Sequence, residues 1–234
     1  MPPRQLPSLY RFAVSASRWF DDIPAAARAD ILAHARQREL AASEAVYARD
    51  EAPDGIYQVV SGLVRLTSDT GSSRELTLDY YGPGVWFGDL SALAGRRMHD
   101  AVAQQPTTLL HIGGEDLLAL LTACPAFCRA LLKLESSRVR LVTMALESYA
   151  LQTLEQRLAN RLLMLAASHG RETAAGLELD LHLPQDALAR LIGATRQRVN
   201  QILKDWEQEG LISHGQGGRV CLPAPGKLEA LATL

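Results

Sequence analysis

The stretch from Pro184 to Trp206, PQDALARLIGATRQRVNQILKDW, leaves the chain few ways to fold. Val199, Ile202, Leu203 and Trp206 fall at i, i+3, i+4 and i+7, one apolar helical stripe that has to be buried. Arg196, Gln197, Asn200, Gln201 and Lys204 take the opposite side. Thr195 stands where an N-cap hydroxyl accepts a backbone N–H, which places the start of this helix. Leu188, Leu191 and Ile192 give a preceding helix a matching apolar side. Gly193 at its end permits the left-handed turn through which two helices cross steeply.

Between Ala187 and Lys204 the chain carries Arg190, Arg196, Arg198 and Lys204 and no acidic residue, although the whole protein has a formal charge of -2. Positive potential is thereby concentrated, as a phosphate-facing surface requires. Four bases on two helices would also describe an ordinary solvated face. Here they come with Ala189 where the helices approach, Gly193 at the corner and amide and guanidinium groups in front. Such groups make bidentate bonds to base edges, Arg to guanine and Gln or Asn to adenine, so a helix-turn-helix that recognises double-stranded DNA is expected.

The 234 residues allow one large domain or two ordinary ones, and an apolar content of 47% supplies real cores. The N-terminal MPPRQLPSLYRF has no signal-peptide run, and no stretch nears the roughly 20 apolar residues that span a bilayer. A soluble, cytoplasmic protein without a membrane partner is expected. Cys124, Cys128 and Cys221 imply no disulfide framework. Cys124 and Cys128 leave a redox pair or half a metal site open beside the simpler role of small buried thiols. Three thiols fall short of the four that an iron–sulfur cluster ordinarily takes.

Along the chain, Pro24 to Arg38 reads as an alanine-rich helix. From Leu40 to about Ile112, runs such as Ile56 to Thr67, Glu75 to Tyr81 and Thr108 to Ile112 alternate with turns at Asp54-Gly55, Asp69 to Ser72, Pro83-Gly84 and Gly95. A small antiparallel sandwich or barrel is expected. Helix resumes over Gly114 to Ala123, and a long helix runs from about Ala126 to Thr153. Phe127, Leu134, Leu141 and Ser148 recur every seven residues, and Ala130, Ser137, Met144 and Leu151 supply the second register, so this seam is expected to meet a twin helix. Leu132, Val139 and Leu146 lie on another face, expected to rest on the strand domain. Leu154 to Ser168 reads as a further helix. A polar loop after Gly170, a strand over Leu177 to Leu183 and a hairpin over Leu211 to Leu222 follow, and Arg219 on that hairpin is placed to touch phosphate.

This order resembles the Crp/Fnr family of bacterial transcription regulators over nearly the whole chain from about residue 20. In the first part the resemblance rests on Gly55-Ile-Tyr, Val60-Ser-Gly62, Val64-Arg65, Pro83-Gly84 and Phe87-Gly88-Asp89-Leu90. In the second it rests on Glu155-Gln-Arg157-Leu-Ala159, Leu162-Leu163, Leu188-Ala189, Ile192-Gly193, Thr195-Arg196, Val199 and Leu211-Ile212. It implies an α+β chain: a cyclic-nucleotide-binding-like antiparallel β-roll of jelly-roll type (residues 1–125), a dimerisation helix (126–153) and a winged helix-turn-helix (154–234). It also implies a homodimer on a palindromic site, with Arg196, Gln197 and Gln201 reading bases and Thr195, Arg198 and Lys204 holding phosphate. Many members have a glutamate in place of Gln197 and an arginine in place of Gln201, which shifts the preferred half-site. Relatives that activate transcription touch RNA polymerase.

Cyclic-nucleotide-binding members hold the cyclic phosphate with an arginine followed by serine or threonine, shortly after a Gly-Glu pair. Counted from Gly88-Asp89, the corresponding residues here are His99-Asp100, and a carboxylate there repels phosphate. Thr143 matches a polar position that some members use for the base. No tight cyclic AMP binding is expected. Haem, which some relatives bind through His or Cys, is not expected either, because His99 and His111 form no spaced ligand motif. A further option is that the fold keeps its pocket for an unrelated small molecule or works without any ligand, and the effector stays unknown at this point. A signalling module that controls another protein is the alternative function, and the base-reading face speaks against it. No nucleophile–base pair, metal-ligand spacing or phosphate-binding glycine loop points to an enzyme. Arg196→Ala is predicted to cost about 1–3 kcal/mol of discrimination at one base pair, read as the affinity ratio between specific and scrambled duplex. An unchanged ratio would remove Arg196 from base reading.

Overall fold

The structure, a computed structural model, describes residues 19–69, 75–88, 95–179, 185–215 and 219–232. It divides into two units within a long helix, after Ser136. The first unit opens with a 3-10 turn at Trp19–Asp22 and the helix α1 (Ala25–Ala33). There follow β1 (Ala35–Leu40), β2 (Ala45–Tyr47), β3 (Gly55–Ser61), β4 (Val64–Asp69), β5 (Glu75–Tyr81), β6 (Trp86–Phe87), β7 (Asp100–Ala103) and β8 (Thr107–Gly113). Two helices, α2 (Gly114–Ala123) and α3 (Pro125–Leu151), complete it and lead out of it. The second unit holds the end of α3, then α4 (Leu154–His169), β9 (Gly170–Thr173), β10 (Gly176–Leu179), α5 (Gln185–Ile192), α6 (Arg196–Gln208), β11 (Ser213–His214), β12 (Val220–Leu222) and α7 (Pro225–Ala232).

The first eight strands form two antiparallel sheets, ordered β1-β8-β3-β6 and β2-β7-β4-β5, the α+β arrangement expected. Successive side chains leave a strand on opposite faces, and here both faces of the first sheet are covered. Tyr57, Phe87 and Leu109 point into the roll, where they meet Val46, Tyr47, Val64, Ala101 and Ala103 of the other sheet. Their neighbours Ile56, Trp86 and Ile112 point outward, into a second core with Trp19, Phe20, Ile31, Leu117 and Leu120. Gly62 divides the run from Ile56 to Thr67 into two strands. Its φ is +93°, and a Cβ there would collide with Thr107 and the Pro106 carbonyl.

The helix expected over Pro24 to Arg38 stops at Ala33. Ala35 to Leu40 instead pairs with β8 along its whole length, Ala35 opposite Ile112 and Leu40 opposite Thr107. Ladder hydrogen bonds and the burial of Leu40 outweigh the local helical preference of an alanine-rich segment.

Three residues of the expected seam on the long helix are covered within their own unit. Phe127, Ala130 and Leu134 are buried in the outer core of their own unit, the Phe127 ring 5.8 Å from that of Trp19. Ser137, Leu141 and Met144 are half-buried and Leu151 is exposed. The face expected to rest on the strands is the open one, for Leu132, Val139 and Leu146 are all exposed, as is Val142 between them. Heptad spacing is present on both apolar faces, and periodicity does not say which one the chain itself covers.

In the second unit, α4 begins at a capping box. The Thr153 hydroxyl accepts the Gln156 backbone N–H, and the Gln156 side-chain Oε1 accepts the Thr153 backbone N–H. Its buried side carries Leu158, Leu162, Leu163, Leu165 and Ala166. The hairpin expected near the C-terminus is present as β11 and β12, inside a sheet ordered β11-β12-β10-β9. Residues 170–173, expected as a polar loop, are strand β9, paired with β10 from Gly176 opposite Thr173 to Leu179 opposite Gly170. The expected strand over Leu177 to Leu183 is described only as far as Leu179. The closing helix α7 has no counterpart among the expectations.

Candidate nucleic-acid interface

The corner between α5 and α6 is built from local chemistry. Gly193 takes a φ of +64°, the Ala194 N–H returns to the Ala189 carbonyl at 2.9 Å, and the Thr195 hydroxyl accepts the Arg198 N–H at 3.3 Å. Behind it, Val199, Ile202, Leu203 and Trp206 are buried together with Leu188, Leu191 and Ile192. With that stripe turned inward, Arg196, Gln197, Arg198, Gln201 and Lys204 are exposed on α6, and Asn200 is half-buried at its flank. The base-reading candidates therefore share one open side of a helix whose start is fixed by a cap.

Several of these side chains already have carboxylate partners. Arg198 donates to Glu155 at 2.8 Å. Gln201 donates its amide to Asp205 at 2.9 Å. Arg219 on the wing lies 3.6 Å from Glu178, a buried carboxylate that also accepts from Arg171 at 2.8 Å. Arg190 pairs with Asp186 one turn earlier at 2.6 Å. The acid-free interval from Ala187 to Lys204 is thus neutralised in part by acids outside it, Asp186 beside it and Glu155 far from it in sequence. Sequence spacing shows the i, i+4 pairs but not Glu155, which is remote along the chain.

Tyr149, in the last turns of α3, has no role assigned from the sequence. Its hydroxyl donates to the Leu191 carbonyl at 3.2 Å, and the Arg157 guanidinium lies 5.0 Å from its ring centre. A Cβ added to Gly193 would stand 3.5 Å from the same ring, so the tyrosine rests against the corner itself. The long helix is in this way fastened to the end of α5.

In the first unit the candidate effector residues are partly engaged. Gly88, at φ +86°, gives its carbonyl to Arg97 Nη1 at 2.7 Å; Asp89 lies outside the described residues. Arg97 is a fully buried arginine. Its Nη2 donates to the Gly55 carbonyl at 2.9 Å and Asp54 at 2.6 Å, and its guanidinium sits 4.1 Å from the Tyr47 ring centre. Asp54 also accepts from the Tyr57 hydroxyl, and His111, stacked on Tyr57, donates Nε2–H to the Asp54 carbonyl at 3.1 Å. His111 is accordingly part of an internal network. Burial alone would raise the Asp54 pKa, but the hydrogen bonds from Tyr57 and Arg97 and the nearby positive charges bring it below the ordinary carboxylate value.

Asp100 accepts the Arg49 N–H at 2.8 Å, so its carboxylate is held by the strand scaffold. Burial and the charge of Arg49 lower the pKa of His99 against the opposing pull of Asp100, which favours a neutral ring. Thr143 is exposed and returns its hydroxyl to the Val139 carbonyl at 3.0 Å. All three cysteines are free, Cys124 and Cys128 half-buried and Cys221 buried. Among the described residues no group of three metal-ligating side chains converges, and no single helix is long and apolar enough to cross a membrane.

Residues 37–124 match the family model of the cyclic nucleotide-binding domain, and residues 156–231 match that of the Crp-like helix-turn-helix domain. The global nitrogen regulator of Synechococcus elongatus is 32% identical over 161 residues, 68% of this chain and 72% of that protein. The cyclic AMP receptor protein of Thermus thermophilus is 30% identical over 187 residues, 80% of this chain and 83% of that one. The solved structure of FixK2 from Bradyrhizobium japonicum has the same fold, with a TM-score of 0.77 at 21% identity, covering 86% of this chain and 98% of that one.

A carboxyl whose folded pKa is depressed stabilises the fold above its unfolded value of 3.8 and loses that contribution as pH falls through the lower folded value. Asp54→Asn is therefore predicted to be less stable than the parent at neutral pH and to lose less stability between about pH 5 and pH 3 in urea unfolding. Parallel pH profiles for the two proteins would show that the Asp54 charge contributes nothing to the fold.

Proposed function

The chain belongs to the Crp/Fnr family of DNA-binding transcription regulators, and we propose that it acts as a homodimer whose two recognition helices read a palindromic site under control of the β-roll. The observation that carries the dimer is the open face of α3. Leu132, Val139, Val142 and Leu146 are 62%, 64%, 68% and 70% exposed, and Leu132, Val139 and Leu146 recur every seven residues. A second copy placed across a twofold axis sets this stripe against its own image, which removes it from water without requiring any other partner. It stands beside the expected seam, of which Phe127, Ala130 and Leu134 are covered within their own unit.

On DNA, Arg196, Gln197 and Gln201 face the base edges, while Thr195, Arg198, Lys204 and the wing residue Arg219 hold phosphate. Glu155 and Glu178 pair with two of these arginines until phosphate competes for them. Control runs through α3, which starts inside the outer core of the β-roll and ends at Tyr149 on the helix-turn-helix corner. A signal that favours one packing of its first turns shifts the population of DNA-competent dimers, provided it binds the two states unequally.

Selection of bound sequences from random duplex DNA tests the dimer. An inverted repeat with half-site centres about 34 Å apart is expected for the parent. Val139→Glu combined with Leu146→Glu is expected to sediment as a folded monomer that has lost this repeat. A parent that is monomeric and enriches a single half-site would overturn the proposal.

We infer that the chain does not bind cyclic AMP tightly. Counted along the sequence from Gly88, the resemblance puts Asp100, which accepts the Arg49 N–H, where cyclic-nucleotide-binding relatives carry a hydroxyl, and His99 where they carry an arginine. Isothermal titration with cyclic AMP is expected to give no binding at micromolar concentrations; a saturable micromolar isotherm would refute this.

A further inference from the structure

Gln201 and Asp205 sit one turn apart on α6, both exposed on the side opposite the buried stripe. The Gln201 Nε2 donates to Asp205 Oδ1 at 2.9 Å. An ionised carboxylate only accepts, so this bond distinguishes the two ends of the amide. The nitrogen is held toward Asp205 and the carbonyl oxygen is directed away from it. Without such a neighbour, a surface glutamine turns its amide over freely and offers either a donor or an acceptor to an approaching base.

We propose that Asp205 is a specificity-determining positioning residue: by holding the Gln201 nitrogen, it presets the glutamine for a base that offers an amino group in the major groove, adenine foremost. This rests on the base-reading role proposed above for Gln201. Adenine presents the N6 amino donor beside the N7 acceptor, and cytosine presents the N4 amino donor. The preset Oε1 accepts from either. The second N–H of Nε2, which Asp205 does not use, is available to adenine N7. Guanine and thymine place a carbonyl oxygen opposite Oε1, so they can take only the single free N–H, and a two-bond contact with guanine requires the amide to give up Asp205. An acidic side chain on a surface that meets a polyanion opposes binding by itself. The hydrogen bond to Gln201 gives that charge a use, trading some affinity for selectivity.

The test uses the full-length protein and four duplexes that differ only at the base pair whose selection Gln201→Ala abolishes. The parent is expected to favour adenine over guanine and thymine by about 5- to 150-fold, the range for a good bidentate contact. Asp205→Ala is expected to bring the four duplexes within about threefold of one another while total affinity holds or rises, since a negative charge has left the DNA-facing side. Asp205→Asn, whose amide can accept from Gln201 or donate to it, no longer distinguishes the two ends of the glutamine and is expected to fall between the parent and Asp205→Ala in preference. A simple loss of stability would lower binding to all four duplexes together and leave their ratios alone. The proposal fails if Asp205→Ala retains the parental ratios, or if the parent prefers guanine or thymine at that position. If Gln201→Ala changes no position at all, the base-reading role of Gln201 fails first and the proposal falls with it.

Discussion

The burial of Phe127 against Trp19, Phe20 and Trp86 is the contact on which the rest of the chain depends. It makes the first turns of α3 part of the β-roll, whose outward residues Ile56, Trp86 and Ile112 would otherwise lie open to water. Burial of large apolar side chains on this scale is worth about 1.5–3 kcal/mol each, enough to fix the rotation of the helix about its axis. Five residues on, Leu132 lies about 140° around that axis and has no place in the same core. Fixing one face of the helix thereby decides which face remains open, and α3 becomes an interior element and an exposed one at once.

The DNA-binding unit shows a different economy of side chains. Its apolar stripe is conventional, but the polar groups in front are seldom left to water alone: Arg198 has Glu155, Gln201 has Asp205, Arg190 has Asp186 and Arg219 has Glu178. Exposed pairs of this kind add little to stability, roughly 0–1 kcal/mol each. Their effect is on conformation, since a long side chain that already has a direction loses less freedom when it meets its target.

How much of this was legible in the sequence depends on the range over which each feature is decided. The helix-turn-helix was readable because Gly193, Thr195 and the 199/202/203/206 stripe are local signals whose meaning does not depend on distant residues. The boundary between α1 and β1 was not, because Ala35 to Leu40 is strand only by virtue of β8, some seventy residues later. The orientation of α3 was undecidable from spacing, since both of its faces carry heptads. Arg97 gave no sign of being interior: a lone arginine reads as solvated surface until the fold brings Asp54 and two backbone carbonyls to it. The effector region was readable only by resemblance, and its Asp89 lies outside the described residues.

The fastening of Tyr149 to the Leu191 carbonyl turns α3 into a counting device. Each residue of an α-helix adds about 100° of rotation and 1.5 Å of length. One residue inserted between Leu146 and Tyr149 would swing the tyrosine a quarter-turn and more away from the corner it holds, whereas seven would return it to within about 20° of its present direction. The distance between the open stripe and the DNA-binding corner can thus be lengthened or shortened only in near-whole turns. Length and angle along this helix are one variable, and deletions in it belong to a small permitted set of phases.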